Sequence, residues 1–176
     1  MNREEFSDLA LKNLEEIAAF SRRLTGNAAD ADDLVQATFE RAFGSWHQLR
    51  QPAACRAWLF RIARNIFADD RRAANAHPQL RLVEAEREVP SALIVSADAT
   101  ERLTARDLES ALARLPAEQR DTLLLCDLWG FRYEEIADIL EAPIGTVRSR
   151  IARARARVAA VLLGQEESQS KGQGAP

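Results

Sequence analysis

The chain has 176 residues, 47% of them hydrophobic and 29% charged, which suits one folded domain or two small ones and excludes a disordered composition. Its longest apolar runs, such as "VAAVLL" at 158–163, are too short to cross a bilayer, and "MNREEFSDLA" has no apolar core behind a basic start, so a cytoplasmic location is expected. The net charge of −3 conceals a balance in each half: Lys+Arg against Asp+Glu is 11 to 11 over residues 1–75 and 10 to 10 over residues 101–164, so local patches decide what the surface attracts.

Apolar spacing is helical nearly everywhere and no alternating strand pattern appears, which predicts an all-α fold. Phe6, Leu9, Ile17, Phe20 and Leu24 form one stripe, closed by the breaker "TGN" at 25–27. A second helix is expected from about Asp30 to Phe43, with Asp30, Asp32 and Asp33 in the first turn, where the helix dipole favours acids. A third covers about Ala53 to Ala74. The stretch that follows carries Pro78 and Pro90 without sustained periodicity and reads as a flexible linker, in which "LRLVEAEREV" alone has helical character. The second half resumes near Asp98: "LESALARL" leads into a helix opened by Pro116 and closed by Gly130. Helices near 133–140 and 144–162 follow, and the polar, Gly-containing end reads as a disordered tail. The expected organisation is two small helical domains, 1–75 and 99–164, joined by a linker over 76–98 and followed by a tail over 165–176.

On the second helix, Ala31, Leu34, Val35, Thr38, Phe39 and Ala42 face inward and leave Asp32, Asp33, Gln36, Glu40 and Arg41 outside. The glycine of a calcium loop is missing and the aspartates suit a helix start, so this face reads as a docking surface for a protein rather than a metal site. In "RAWLFRIARNIFADDRR" at 56–72, Trp58, Leu59, Ile62, Ala63 and Ile66 share one apolar sector, with Phe60, Arg61, Arg64, Arg71 and Arg72 on the other side. An aromatic ring among arginines suits unpaired bases, because rings stack on bases while guanidinium groups hold phosphates. The alternative is that Phe60 packs on a neighbouring helix.

The last helix carries the sharpest pattern. Ile144, Val147, Ile151, Ala154 and Val158 form a core-facing stripe, while Thr146, Ser149, Arg150, Arg153 and Arg157 cluster opposite, with Arg148 and Arg155 on one flank. No acid occurs between 142 and 164 to neutralise the row by i,i+4 pairing. A solvated helix usually mixes its signs. The short helix "YEEIADIL" ends about three residues earlier, so the pair reads as a helix-turn-helix whose second helix enters the DNA major groove. Arginine there pairs with guanine or neutralises phosphate. Two residues depart from the pattern: Glu141 stands in the turn where glycine is cheapest, and Arg132 stands where a Ser or Thr cap is expected.

Catalytic constellations are not found. His47 and His77 are isolated, and no phosphate-cradling glycine loop or Ser/His/Asp arrangement occurs. Cys55 and Cys126 lack metal-ligand spacing and read as free thiols. No enzyme activity, cofactor, metal or small-molecule substrate is expected.

Three segments in order resemble bacterial RNA polymerase sigma factors of the extracytoplasmic-function (ECF) group. "LTGNAADADDLVQATFERAF" is similar to the family's core-polymerase-binding segment, "AWLFRIARNIFADDRR" to its segment for the −10 promoter element, and "LPAEQRDTLLLCDLWGFRYEEIADILEAPIGTVRSRIARAR" to its C-terminal domain. The resemblance implies that Asp32, Asp33, Gln36, Glu40 and Arg41 dock on core RNA polymerase. It implies that Phe60, Arg61, Arg64, Asn65, Arg71 and Arg72, with the loop before their helix, engage the −10 element and help to separate its strands. Thr146, Arg148, Ser149, Arg150, Arg153 and Arg157 would read the −35 element. An anti-sigma protein covering these surfaces is also implied. A linker of about 20 residues spans at most ~70 Å, enough to place two domains about two DNA turns of ~34 Å apart. The rival readings are a sigma-like decoy that binds an anti-sigma protein without reading promoters, and a dimeric regulator using only the last two helices. The arginine row speaks against the first, and the unused first half against the second.

Overall fold

The computed structural model describes residues 2–76 and 105–163, and the expected linker beyond Ala76, His77 and the expected tail lie outside the described residues. Every regular element among the described residues is helical, and the chain divides into two compact units, one mainly N-terminal and one mainly C-terminal. The N-terminal lobe carries α1 (Arg3–Leu11), α2 (Leu14–Thr25), α3 (Ala28–Ser45) and α4 (Cys55–Ala76), with 3-10 turns at Trp46–Gln48 and Pro52–Ala54 before α4. The C-terminal lobe carries α5 (Ala105–Ala113), α6 (Ala117–Asp127), α7 (Tyr133–Leu140) and α8 (Ile144–Leu162).

The first apolar stripe is divided between two helices. Asn13 leaves helical geometry at φ −99°, ψ 4°, and its side-chain amide donates to the Leu9 carbonyl at 2.9 Å, satisfying one of the acceptors that α1 leaves open. The bend lets Phe6 and Ala10 of α1 and Ile17, Phe20 and Leu24 of α2 all reach the core. Helix α1 opens with a capping box between Asn2 and Glu5, and α3 opens with the Asn27 side chain accepting from the Asp30 amide at 2.9 Å. Between them, Gly26 closes α2 at φ 80°, a conformation glycine adopts without a Cβ clash.

Aromatic rings fill the N-terminal core. Phe6, wholly buried, meets Phe43 edge-on at 5.2 Å and Trp58 edge-on at 6.0 Å, and stacks with Trp46 at 6.5 Å. Phe20 meets Phe60 at 4.7 Å. Helix α4 packs against α1, α2 and α3, so it is enclosed from several directions.

Aliphatic side chains dominate the C-terminal core: Leu112, Leu123, Leu124, Leu125, Ile136, Ile139, Val147 and Ile151 are buried. Helix α8 packs against α6 and α5. Gly130, at φ 65°, turns the chain after α6, and the amides of Gly130 and Phe131 donate back to the carbonyls of Cys126 and Leu125. This turn buries Trp129 and Phe131 and sends the chain into α7.

Candidate polymerase and nucleic-acid interfaces

Helix α3 separates its two faces cleanly. Ala31, Leu34, Thr38 and Ala42 are buried, Val35 and Phe39 half-buried. Asp32, Asp33, Gln36, Glu40 and Arg41 are all exposed, and the Gln36 amide donates to the Glu40 carboxylate at 2.8 Å. The result is a polar ridge with two aspartates at its head. Asp30 is tied to Asn27, consistent with its reading as a helix-start residue. Among the described residues no group of three or more His, Cys, Asp or Glu is arranged to hold a metal ion.

Helix α4 does not follow the expected division. Phe60 is 0% exposed, packed against Phe20 with the Arg56 guanidinium 5.7 Å from its ring, so it belongs to the core and is corrected from the base-stacking set. The reason is the enclosure of α4 from several directions: a helix so placed buries more than one stripe, here Leu59, Phe60, Ile62 and Ala63 together. Arg61, Arg64 and Asn65 are half-buried, while Arg71 and Arg72 are exposed, with Arg72 paired to Asp69 at 2.9 Å. The aromatic that stands among the arginines is Phe67, half-buried, with the Arg71 guanidinium 5.7 Å from its ring. Its i,i+4 spacing to Arg71 and i,i+3 spacing to Arg64 were present in the sequence and identify it once Phe60 is committed to the core.

The last two helices form the expected helix-turn-helix with the expected bounds. Glu141 adopts φ 50°, the left-handed conformation that its place in the turn requires. The Arg132 backbone amide donates to the Glu135 carboxylate at 2.9 Å, so the third helical residue caps α7 where no Ser or Thr stands. Val147, Ile151 and Ala154 are buried, and Ile144 and Val158 half-buried. Arg148, Arg153 and Arg157 project from α8 into solvent, and Thr146 and Ser149 are half-buried, with the Ser149 hydroxyl donating to the Thr146 carbonyl at 3.0 Å.

Two arginines of α8 are engaged by acids from another helix, which a search along α8 alone does not reveal. Arg150 donates to Glu118 of α6, and Arg155 is bonded to Asp127 of α6 at 2.6 Å. The Asp127 hydrogen bond raises the pKa of the Arg155 guanidinium above its ordinary value. Cys126 lies 3.7 Å from Arg155, and burial is the leading cause of its raised pKa; burial also pushes the Cys55 thiol up to about 11. Both thiols are therefore held in the less nucleophilic protonated form at neutral pH.

The sequence that builds this acid-headed ridge, arginine-bearing helix and basic helix-turn-helix matches two family models: sigma-70 region 2 over residues 9–77 and sigma-70 region 4 over residues 105–158. An ECF RNA polymerase sigma factor, EcfG of Rhodopseudomonas palustris, is 34% identical over 90% of this chain and 86% of its own length. SigM of Mycobacterium tuberculosis, also an ECF RNA polymerase sigma factor, is 34% identical over 92% of this chain and 79% of its own. Among solved structures, the sigma factor RpoE in complex with the anti-sigma factor NepR from Bartonella quintana superposes with a TM-score of 0.69 at 29% identity, covering 90% of this chain and 97% of that one. The chain belongs to the ECF RNA polymerase sigma factor family.

Proposed function

We propose that this protein is a transcription initiation factor that binds core RNA polymerase in the cytoplasm and directs it to particular promoters under the control of an anti-sigma protein. The observation that carries the reading is the helix-turn-helix with Arg148, Arg153 and Arg157 exposed on α8, preceded in the same chain by a region 2 lobe. In this reading the ridge of Asp32, Asp33, Gln36, Glu40 and Arg41 docks on the polymerase. Arg61, Arg64, Asn65, Arg71 and Arg72 face the −10 element, and α8 reads the −35 element through Thr146, Arg148, Ser149, Arg153 and Arg157, while Arg150, expected in the same set, is held by Glu118. In this reading residues 1–75 and 99–164 act as two domains joined by a linker over 76–98.

Near-neutral lobes suit this division of labour. A free protein that neutralises few phosphates binds DNA only weakly at physiological salt, whereas attachment through polymerase and two DNA sites multiplies weak contacts into a stable complex. A decoy without promoter reading is the less favoured alternative, because it gives the exposed arginines no role. The chain acts without chemistry of its own: bond formation belongs to the polymerase. Reconstituted transcription tests the reading. Purified chain added to core RNA polymerase is expected to shift initiation to a new set of start sites, and absence of both polymerase binding and redirected initiation contradicts it.

A further inference from the structure

We propose that Arg150 and Arg155 are positioning residues that brace α8 against the two ends of α6, leaving Arg148, Arg153 and Arg157 to meet DNA. What the braced helix is for rests on the sigma factor reading; the brace itself does not. Glu118 stands in the first turn of α6 and Asp127 is its last residue, and each holds one arginine of α8. The Arg150 side chain is only 22% exposed, against 52% for Arg155. At 100° per residue, the two lie on opposite borders of the buried stripe Val147, Ile151 and Ala154, each about 70° from its centre; Arg153 lies ~130° away. Border positions are where a packed helix reaches the charges of its partner, as the e and g positions of coiled coils do.

A helix held by one narrow apolar stripe can roll about its axis without losing much contact. Two ion pairs on opposite borders oppose that roll in both directions. The acids stand nine residues apart on α6, ~14 Å along its axis, and the arginines five apart on α8, ~7 Å, so the pins are well separated. Recognition needs side chains held within about 10–20° of their working direction; a roll larger than that turns Arg153 away from the groove. The division also explains why a helix without a single acid between 142 and 164 does not present five bare guanidinium groups to solvent. Among the described residues no ion pair engages Arg148, Arg153 or Arg157.

The test uses the full chain and a labelled DNA duplex selected from a random pool by the wild-type chain with core RNA polymerase. Binding is measured against salt. Arg153→Gln is expected to lower the slope of log affinity against log salt by about 1, the signature of one lost phosphate contact. Arg150→Gln and Arg155→Gln are expected to leave the slope unchanged while weakening binding by about fivefold at most. A slope lowered in Arg150→Gln as much as in Arg153→Gln places Arg150 on phosphate and overturns the proposal. Arg150→Glu should weaken binding strongly, and adding Glu118→Arg should restore most of the loss; a reversed pair no better than Arg150→Glu alone also overturns it. If the wild-type chain selects no duplex, the DNA reading fails and the brace is judged by hydrogen exchange at the α8 amides. Arg150→Gln and Glu118→Gln should each accelerate exchange and the double variant no further, whereas fully additive effects refute the brace.

Discussion

The N-terminal lobe closes around aromatic rings, with Phe6 at the centre of one cluster and Phe20 against Phe60 in another, whereas the C-terminal lobe closes around leucines and isoleucines. Each must also present a long arginine-bearing helix, and the two do so differently. Helix α8 packs on α5 and α6 and keeps one buried stripe, so its period separates inside from outside. Helix α4 is enclosed by α1, α2 and α3, and a ring on its arginine-bearing side is drawn into the core. A helical wheel therefore assigns faces well for a helix packed along one stripe and poorly for one packed from several directions.

The largest effect is expected at Phe60. If its ring is core, Phe60→Ala removes a wholly buried aromatic and costs about 3–5 kcal/mol of stability in the N-terminal lobe, measured by chemical denaturation of the full chain. Phe67→Ala, at a half-buried ring, costs under ~1 kcal/mol. A Phe60→Ala protein of undiminished stability returns Phe60 to the nucleic-acid face.

Next is Cys55, 1% exposed, whose thiol is raised from 9.0 to about 11 by burial. A folded-state pKa above the unfolded one means that the folded state binds the proton more tightly. The contribution is present in full below pH 9 and is lost as pH rises through about 11, amounting to roughly 2–3 kcal/mol. The stability advantage of the wild-type chain over Cys55→Ala should shrink across that window. A pH-independent difference contradicts the burial argument.

At the C-terminal lobe, Arg153→Ala is expected to weaken DNA binding by about 1–3 kcal/mol while leaving stability within ~0.5 kcal/mol, the reverse of the Phe60 result. The smallest effect concerns the turn. Glu141, at φ 50°, carries a strain that Gly26 and Gly130 avoid, so Glu141→Gly should stabilise the lobe by about 0.5–1 kcal/mol after the added freedom of the unfolded glycine is offset. Thermal unfolding checks it, and a loss of stability means that the Glu141 side chain contributes more than its backbone costs.

Much of the architecture was legible because it depends on local chemistry. The bounds of α7 and α8 follow from apolar spacing, Gly130 marks its turn, and the exposed ridge on α3 follows from the period of Ala31, Leu34, Thr38 and Ala42. What was not legible depends on partners distant in sequence. The break at Asn13 does not interrupt the apolar stripe, because both helices point the same residue types inward. The burial of Phe60 requires knowing that Phe20 approaches from α2. Glu118 and Asp127 lie about 30 residues from the arginines they hold, beyond any i,i+4 rule.

Cleavage from tethered probes asks whether one chain lays two lobes on separate stretches of a single promoter. A DNA-cutting iron chelate is attached at Ala152→Cys on the exposed face of α8, and in a second protein at Ala73→Cys on α4, each with Cys126→Ser to remove the half-buried thiol. In complexes with core RNA polymerase on one promoter, cuts from the α8 probe should fall upstream of cuts from the α4 probe, in two clusters separated by about two helical turns. Coincident clusters, or cuts from one probe alone, contradict the claim.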